Sequence, residues 1–420
     1  MLLSVFTPTH NTDFLVATYE SLLAQTHKNW EWVIILNNGA KLPRELDDSR
    51  VRVVKAPEWI DHLGIGALKR FACEQCDGEF LIELDHDDLL TPNALAAIET
   101  AVDVHAADFI YSDFCNFNGD GTYELYGKDY GWEHYSQRDG EKVYQVNRAF
   151  PVDAGSMRAI FYAPNHVRAW RRTTYWNAGG HDGSMGVCDD YDLLCRTYLS
   201  GAKFHHIPEC LYLYRKRNDN TFIKRNAEIQ QKQLQVSNRY LHMLVGEWCR
   251  RSDLPRVDVG GFNAPEGYIV ASQKTGFDLR AKWPFADSSV GCVRAYDFLQ
   301  RVAQCGDGCK HDTPRCPIGV MNEIYRVLTP GGWLLTATPS TSGKGAFQDP
   351  TNCSYWNDNS FWYYTKQAQK SLVPSITARY QPARVWNEFP SDWHKQNDIL
   401  YVYADLIALK GQRQPGICEV

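Results

Sequence analysis

The sequence predicts an α/β protein with two sheet-containing domains, the first a mixed, mainly parallel sheet with flanking helices and the second doubly wound. Three observations carry this. Strand and helix patterns alternate through the first 115 residues, residues 80–84 are apolar apart from one acid, and a new strand runs into glycines from Val257. Alternating β and α units build parallel sheets covered by helices, and strands buried on both faces read as near-continuous apolar runs.

The elements follow in order. Leu2–Phe6 is an apolar strand ending in Thr7-Pro8-Thr9. Asp13–Gln25 has helical spacing, with Phe14, Ala17, Leu22 and Leu23 on its apolar side. Trp32–Leu36 is a second strand, stopped by Asn37-Asn38-Gly39, and Val51–Lys55 is a third. A helix over Ile65–Cys76, a strand over Phe80–Leu84, a helix over Pro92–His105 and a strand over Phe109–Ser112 complete the alternation. Residues 116–160 are rich in Gly, Tyr and Asp with weak periodicity, which predicts long loops over a site, and residues 161–222 return to mixed structure. Residues 223–251 read as one polar amphipathic helix with a stripe of Ile229, Leu234, Leu241, Leu244 and Trp248. Beyond it come the strand VDVGG from Val257, a helix over Val320–Leu328, a Pro330-Gly331-Gly332 turn and a strand over Trp333–Thr338. The expected domains are therefore 1–222 and 254–420, with a helical linker at 223–253.

A chain of 420 residues with 44% apolar and 13% aromatic content is long enough for two or three cores. A net charge of −6 argues against a general nucleic-acid binder, which carries a basic balance. No apolar run approaches the ~20 residues that span a bilayer, and the first residues lack the pattern of a signal peptide. A cytoplasmic protein is expected, its thirteen cysteines reduced thiols rather than a disulfide framework.

The densest chemistry lies in GEFLIELDHDDLL, residues 78–90, where an apolar strand delivers Asp85, Asp87 and Asp88 to its carboxyl end. Ligands of open α/β sheets gather at that end. Three acids within four residues repel one another unless a cation neutralises them, and Mg²⁺ or Mn²⁺ takes carboxylate and phosphate oxygens together. The other reading is a solvated turn, with Asp88 or Thr91 capping a helix that starts at Pro92.

Five blocks in order, SVFTPTHN (4–11), SLLAQTHKNWEWVIILNNGA (21–40), DGEFLIELDHDD (77–88), GGHDGSM (179–185) and DDYDLLCRTYLSGAKFHHIP (189–208), resemble family-two glycosyltransferases of the GT-A fold. The resemblance implies a nucleotide-sugar donor, with UDP-sugar expected, and a Mn²⁺ or Mg²⁺ ion. It places Thr7, Pro8, Thr9 and Asn11 against the nucleotide and Asn38 where the family has an aspartate contacting uracil. Lys69 or Arg70 would stand near the diphosphate, Asp85 on the ribose side and at the metal, Asp87 on metal and diphosphate, and Asp88 in support. Asp189-Asp190 matches the family's acidic pair, with Asp190 as the base in an inverting displacement and Asp189 its neighbour. On the residues alone the pair is also read as a helix N-terminal acidic pair favoured by the dipole. Arg215, with Lys216 and Arg217, reads either as a cationic cover for the leaving diphosphate or as a solvated basic turn. His166, Arg168, Trp170 and Arg171 line the acceptor or donor-sugar side, or pack in the core.

Residues 255–365 resemble S-adenosylmethionine-dependent methyltransferases through VDVGGFNAPEGY, DLRAKWPFADSSVGCVRAYDFLQRV, MNEIYRVLTPGGWLLTATPS and FQDPTNCSYWNDNSFWYYT. Gly260 and Gly261 keep the glycine turn of such Rossmann-like folds, but Ala271-Ser272 stands where an acid holds the ribose. The block LQRV (299–302) stands where related sequences carry an acid and a histidine, and Asn352 stands where a histidine is common. This implies a methyltransferase-like domain that has lost catalysis, or, as the alternative, a bifunctional chain. CGDGCKHDTPRC (305–316) reads as a flexible loop or a zinc staple through Cys305, Cys309, His311 and Cys316. Cys73 and Cys76, one helical turn apart, read as buried thiols, and FWYY (361–364) as core. The acceptor is open among a glycan, a protein hydroxyl and a modified DNA base, the basic stretches at 168–172 and 215–225 keeping nucleic acid in view.

Overall fold

The computed structural model describes residues 1–61, 63–160, 162–217, 220–261, 263–306 and 308–420. They form two compact units, Met1–Leu244 and Val245–Val420. Among the described residues no helix is long and apolar enough to cross a membrane.

The first unit is an eleven-stranded sheet. Its strands are β1 (Leu3–Thr9), β2 (Trp30–Leu36), β3 (Val51–Lys55), β4 (Phe80–Glu83), β5 (Leu89–Leu90), β6 (Phe109–Phe117), β7 (Tyr123–Glu124), β8 (Glu133–Asp139), β9 (Lys142–Arg148), β10 (Arg168–Arg171) and β11 (Phe204–Arg215). The main path runs β3-β2-β1-β4-β10-β6-β11-β5. β3, β2, β1 and β4 are parallel, so the carboxyl ends of β1 and β4 open on one side. β10 lies antiparallel between β4 and β6, which sets Arg168, its first residue, opposite Glu83, the last of β4. β11 pairs parallel with β6 and delivers Arg215 to that same side. Leu3, Val5, Trp30, Trp32, Ile34, Phe80 and Ile82 lie in one buried cluster. Each such side chain contributes about 1.5–3 kcal/mol on burial, so the strand ends rest on a firm platform.

In the first sheet, the expectations for residues 116–160 and for the end of β6 change. Residues 116–160 hold β7, the β8–β9 hairpin and a helix, Ala154–Ala159, rather than only loops. The hairpin's alternation is weak because β8 buries none of its residues fully and β9 only Tyr144, Val146 and Asn147. β6 runs on to Phe117 because Asp113, an acid in mid-strand, is satisfied by Tyr135 Oη at 3.0 Å, His206 Nε2 at 2.8 Å and Ala149 N–H at 2.7 Å.

The long helix is Asn226–Arg251, and the division between the units falls inside it rather than at its ends. Ile229, Gln233, Val236, Ser237, Tyr240, Leu241 and Leu244 form its buried stripe, while Leu234 lies off that face and is exposed. A step of five residues from Ile229 turns about 140° around the helix, which carries Leu234 out of the stripe.

The second unit is a six-stranded sheet in the order β13-β12-β14-β15-β17-β16. These are β12 (Arg256–Val259), β13 (Ile269–Ala271), β14 (Val290–Tyr296), β15 (Leu328–Pro339), β16 (Tyr380–Glu388) and β17 (Tyr401–Ala408). β13, β12, β14 and β15 are parallel, and β17 runs antiparallel to both β15 and β16. The predicted Pro-Gly-Gly turn lies within β15, where the pairing with β14 shifts register. The FWYY run divides: Phe361 and Tyr364 are buried, Trp362 and Tyr363 exposed.

Candidate active site

Two adjoining cavities, about 380 and 290 Å³, open at the strand ends of the first unit, and Lys69, Asp85, Asp190 and Arg217 line both. Pro8, His10, Asn11 and Asp87 border only the smaller one, while His166, Arg168 and Tyr212 border only the larger.

The loop after β1 is shaped from below. Thr7 Oγ1 donates to the Leu84 carbonyl at 2.6 Å and accepts from Trp32 Nε1 at 2.8 Å, and Thr9 Oγ1 donates to the Asn11 carbonyl at 2.5 Å. Both threonines are buried, so they hold the loop while Pro8 and Asn11 face the cavity. Successive strand residues alternate in direction, which turns Pro8 away from Thr7 and Thr9, while Asn11 reaches the cavity from the loop beyond the strand end. Asn38 sits exposed at a positive φ of 52° and lines neither cavity.

The acids after β4 divide as well. Asp88 is buried; its carboxylate accepts from Tyr212 Oη at 2.8 Å and from the Arg215 N–H at 2.7 Å. Burial, with Asp87 and Asp85 close by, pushes its carboxyl well above the usual range. Asp88 therefore anchors the loop to β11. Asp85 and Asp87 face the cavity instead, Asp87 with Arg217 Nη1 at 3.6 Å. Burial raises the Asp87 carboxyl, and Asp85 adds to the effect. Arg215 Nε donates to the Asp87 carbonyl at 2.7 Å, and its guanidinium lies over Phe14 and Phe117, each 4.6 Å from the ring centre. Two cavity-facing carboxylates on neighbouring loop positions, with the third already satisfied, fit a hard divalent cation that shares its remaining positions with phosphate and water.

The second acidic pair opens the helix Asp189–Leu199, with Cys188 as N-cap at a φ of 59° and no side-chain cap. The pair's side chains meet cations, and Asp190 Oδ1 also accepts from the Tyr191 N–H in the first turn at 2.8 Å. Asp190 Oδ2 accepts from Arg168 Nη1 at 2.5 Å, and its side chain remains 27% exposed. Burial would raise the Asp190 carboxyl, but Arg168 and Lys69 hold it below the usual range. Asp189 is buried, with Lys69 Nζ at 3.9 Å and His181 Nε2 at 3.6 Å. Burial, reinforced by Asp190 and Glu83 against the pull of Lys69, lifts its carboxyl to about 7. Burial also pushes His181 down to about 3, so that ring is neutral. Its Nδ1 lies 2.8 Å from Tyr175 Oη.

Glu83 ties the two acidic groups together and was not among the sequence candidates. It is buried, ion-paired to Lys69, with His166 Nε2 at 3.3 Å and Arg168 Nη1 at 3.5 Å. Burial opposes its charge, but Lys69, His166 and Arg168 keep it ionised well below the usual range. Lys69 is thus a buried counter-ion of Glu83 and Asp189 at the cavity wall, while Arg70 turns away to the Gly179 carbonyl at 2.6 Å. The signal in the sequence was an acid inside an apolar strand, which asks for a buried cation. Gly66 permits the approach: a Cβ there would lie 2.2 Å from the Asp182 carbonyl oxygen and 3.1 Å from Asp189 Cβ.

Among the described residues the sheet is mixed rather than mainly parallel, because β10 and the β7–β9 strands add antiparallel pairings to the parallel β3-β2-β1-β4 run. Such a sheet, with two acidic groups converging on one cleft at its strand ends, defines an α/β transferase domain of GT-A-like fold. Residues 4–164 match the family model "Glycosyl transferase family 2", which marks this segment as a glycosyltransferase domain. An uncharacterised protein y4gI of Sinorhizobium fredii is 31% identical over 229 residues, 51% of this chain and 22% of that protein. Glycosyltransferase GlyG of Streptococcus pneumoniae is 24% identical over 52% of this chain and 71% of its own length, and chondroitin synthase of Escherichia coli 26% over 58% and 33%. The aligned regions thus span from under a quarter to about seven tenths of these relatives. Among solved structures, S. aureus TarS 1–349 with UDP aligns at a TM-score of 0.44 and 15% identity, over 60% of this chain and 70% of that one.

Proposed function

We propose that the chain is an inverting, metal-dependent glycosyltransferase that moves a sugar from a UDP-sugar to a hydroxyl of a glycan acceptor. The carrying observation is that Asp85 and Asp190 line both of two adjoining cavities, one bordered by Asp87 and the loop after β1, the other by His166, Arg168 and Tyr212. This layout suits donor in the first and acceptor in the second. Asp190, kept ionised by Arg168 and Lys69 yet still exposed, takes the proton of the acceptor hydroxyl as its oxygen bonds to the anomeric carbon. The bond from that carbon to the diphosphate oxygen breaks on the opposite face, which inverts the centre. Asp85 and Asp87 would hold Mn²⁺ or Mg²⁺, which when bound neutralises charge on the leaving diphosphate. Arg217, beside Asp87, supplies a cation on the same side. The relation to chondroitin synthase supports a glycan acceptor over protein or DNA.

The second unit is read as methyltransferase-like in fold and without methyl transfer. Supporting this, its sheet has four parallel strands, β13-β12-β14-β15, and keeps a glycine turn at Gly260 and Gly261, with φ of 102° and 71°. Against catalysis, Ser272 after β13 serves as the cap of a short turn at Gln273–Thr275, with no acid at that strand end. Thirteen free thiols suit a cytoplasmic setting.

Calorimetric titration of the full chain with UDP, with and without Mn²⁺, tests the donor assignment. Metal-dependent binding that disappears in Asp87→Ala is expected; S-adenosylmethionine binding with no nucleotide binding would overturn it.

A further inference from the structure

We propose that Cys305, Cys309, His311 and Cys316 of the second unit bind a structural zinc ion. The segment joins the turn Leu299–Arg301 to the helix Pro317–Val327, and its spacing, C-x₃-C-x-H-x₄-C, lacks the close cysteine knuckle of familiar zinc motifs. The fold supplies what the spacing conceals. One ligand atom from each of the four residues falls within 4.8 Å of all the others. His311 Nδ1 lies 3.5 Å from Cys305 Sγ, 3.4 Å from Cys309 Sγ and 3.2 Å from Cys316 Sγ, and the last two sulfurs are 3.6 Å apart.

These four distances match edges of a tetrahedron around a metal, and the two remaining sulfur–sulfur edges lie within 4.8 Å. Zn–S bonds of about 2.3 Å and Zn–N bonds of about 2.0–2.1 Å at tetrahedral angles separate two sulfurs by about 3.8 Å and sulfur from nitrogen by about 3.6 Å. A disulfide accounts for less. It would pair two of the three cysteines at about 2.05 Å, leave the third over, and give no reason for an imidazole nitrogen to meet all three sulfurs. Three thiolates and one imidazole are soft and borderline donors, the set that selects zinc over magnesium or calcium.

The surroundings are built for the ion. Cys316 is buried and is the N-cap of the helix Pro317–Val327, and the Gly319 N–H donates to its sulfur at 3.3 Å. Such an outer hydrogen bond orients a metal-bound thiolate. Gly319 has to be glycine for this approach, since a Cβ there would lie 1.9 Å from the Thr313 carbonyl oxygen. Binding releases one proton from each thiol, and the resulting centre of net charge −1 sits at the positive end of an eleven-residue helix. Four protein ligands leave no open position, so the ion staples the 305–316 loop to the helix rather than performing chemistry.

Metal analysis of the full chain, produced with zinc available and dialysed without chelator, tests the assignment. About one zinc per chain is expected, and cobalt(II) exchanged into the site should show the visible absorption of a tetrahedral thiolate centre. Cys309→Ser should lose the metal. Cys305→Ser, at an exposed position that leaves the fold intact, should weaken zinc binding by more than the roughly 10–100-fold that loss of an outer-shell partner causes. A chain without zinc, a Cys309–Cys316 disulfide in the native protein, or zinc affinity unchanged in Cys305→Ser, read by competition with a chelator, would each overturn the proposal.

Discussion

Replacing Glu83 by Gln removes one negative charge from the centre of the buried network and should make stability depend on pH in a defined direction. Lys69 and Arg168 are the cations; Glu83 and Asp190 are the acids held ionised, and Asp189 is the acid poised near neutrality. Breaking a buried pair by removing one partner costs about 3–5 kcal/mol. Asp189, 3.9 Å from Lys69, is the reserve partner. At that distance and an effective dielectric near 20, two unit charges attract by about 4 kcal/mol, enough to replace much of the loss once Asp189 ionises.

The sign follows from where Asp189 titrates. Unfolded, it loses its proton near 3.8; folded, near 7. The folded state therefore carries the extra proton across that window, and wild-type stability falls as pH rises through it. Loss of the Glu83 charge lowers the folded value for Asp189, so the variant loses less stability than wild type over the same rise. Glu83→Gln should cost about 3–5 kcal/mol near pH 5.5 and at least about 1.4 kcal/mol less near pH 8.5, one pKa unit being about 1.4 kcal/mol. Urea unfolding of both chains at several pH values measures this. A destabilisation that is constant across the range, or that grows with pH, refutes the reasoning.

Asp190→Asn should lower transfer by about 10²–10⁴-fold, the usual weight of a general base, with UDP binding unchanged. Transfer assayed by product chromatography checks this, and near wild-type turnover would remove Asp190 from the role. Gly66→Ala forces a methyl into the Asp182 carbonyl and should cost about 1–3 kcal/mol while moving Lys69 and Asp189 apart. Thermal melting and transfer rate should fall together; a variant with wild-type values for both would show that the contact yields freely.

The strands of the first sheet were legible because burial on both faces leaves unbroken apolar runs, as in Trp32–Leu36 and Phe80–Ile82. The stretch 116–160 was not, because its hairpin is mostly solvated and shows little alternation. In the site, the motifs located Asp85, Asp87, Asp189 and Asp190 in the chain without saying which carboxylate faces the cavity. Asp88 differs from Asp87 by one position, and only β11, arriving with Tyr212 and Arg215, decides that Asp88 is bound internally.

The sequence by itself determined the alternation of strands and helices, the acids at a strand end and the second acidic pair, because each depends on neighbours a few residues away. The tertiary structure decided the charge state of those acids and the gathering of Cys305, Cys309, His311 and Cys316. Glu83 meets Lys69, His166 and Arg168 only through the antiparallel insertion of β10 and the close approach at Gly66. The reason is physical: burial and Coulomb energy depend on distance in space, which a linear chain specifies only after it has packed.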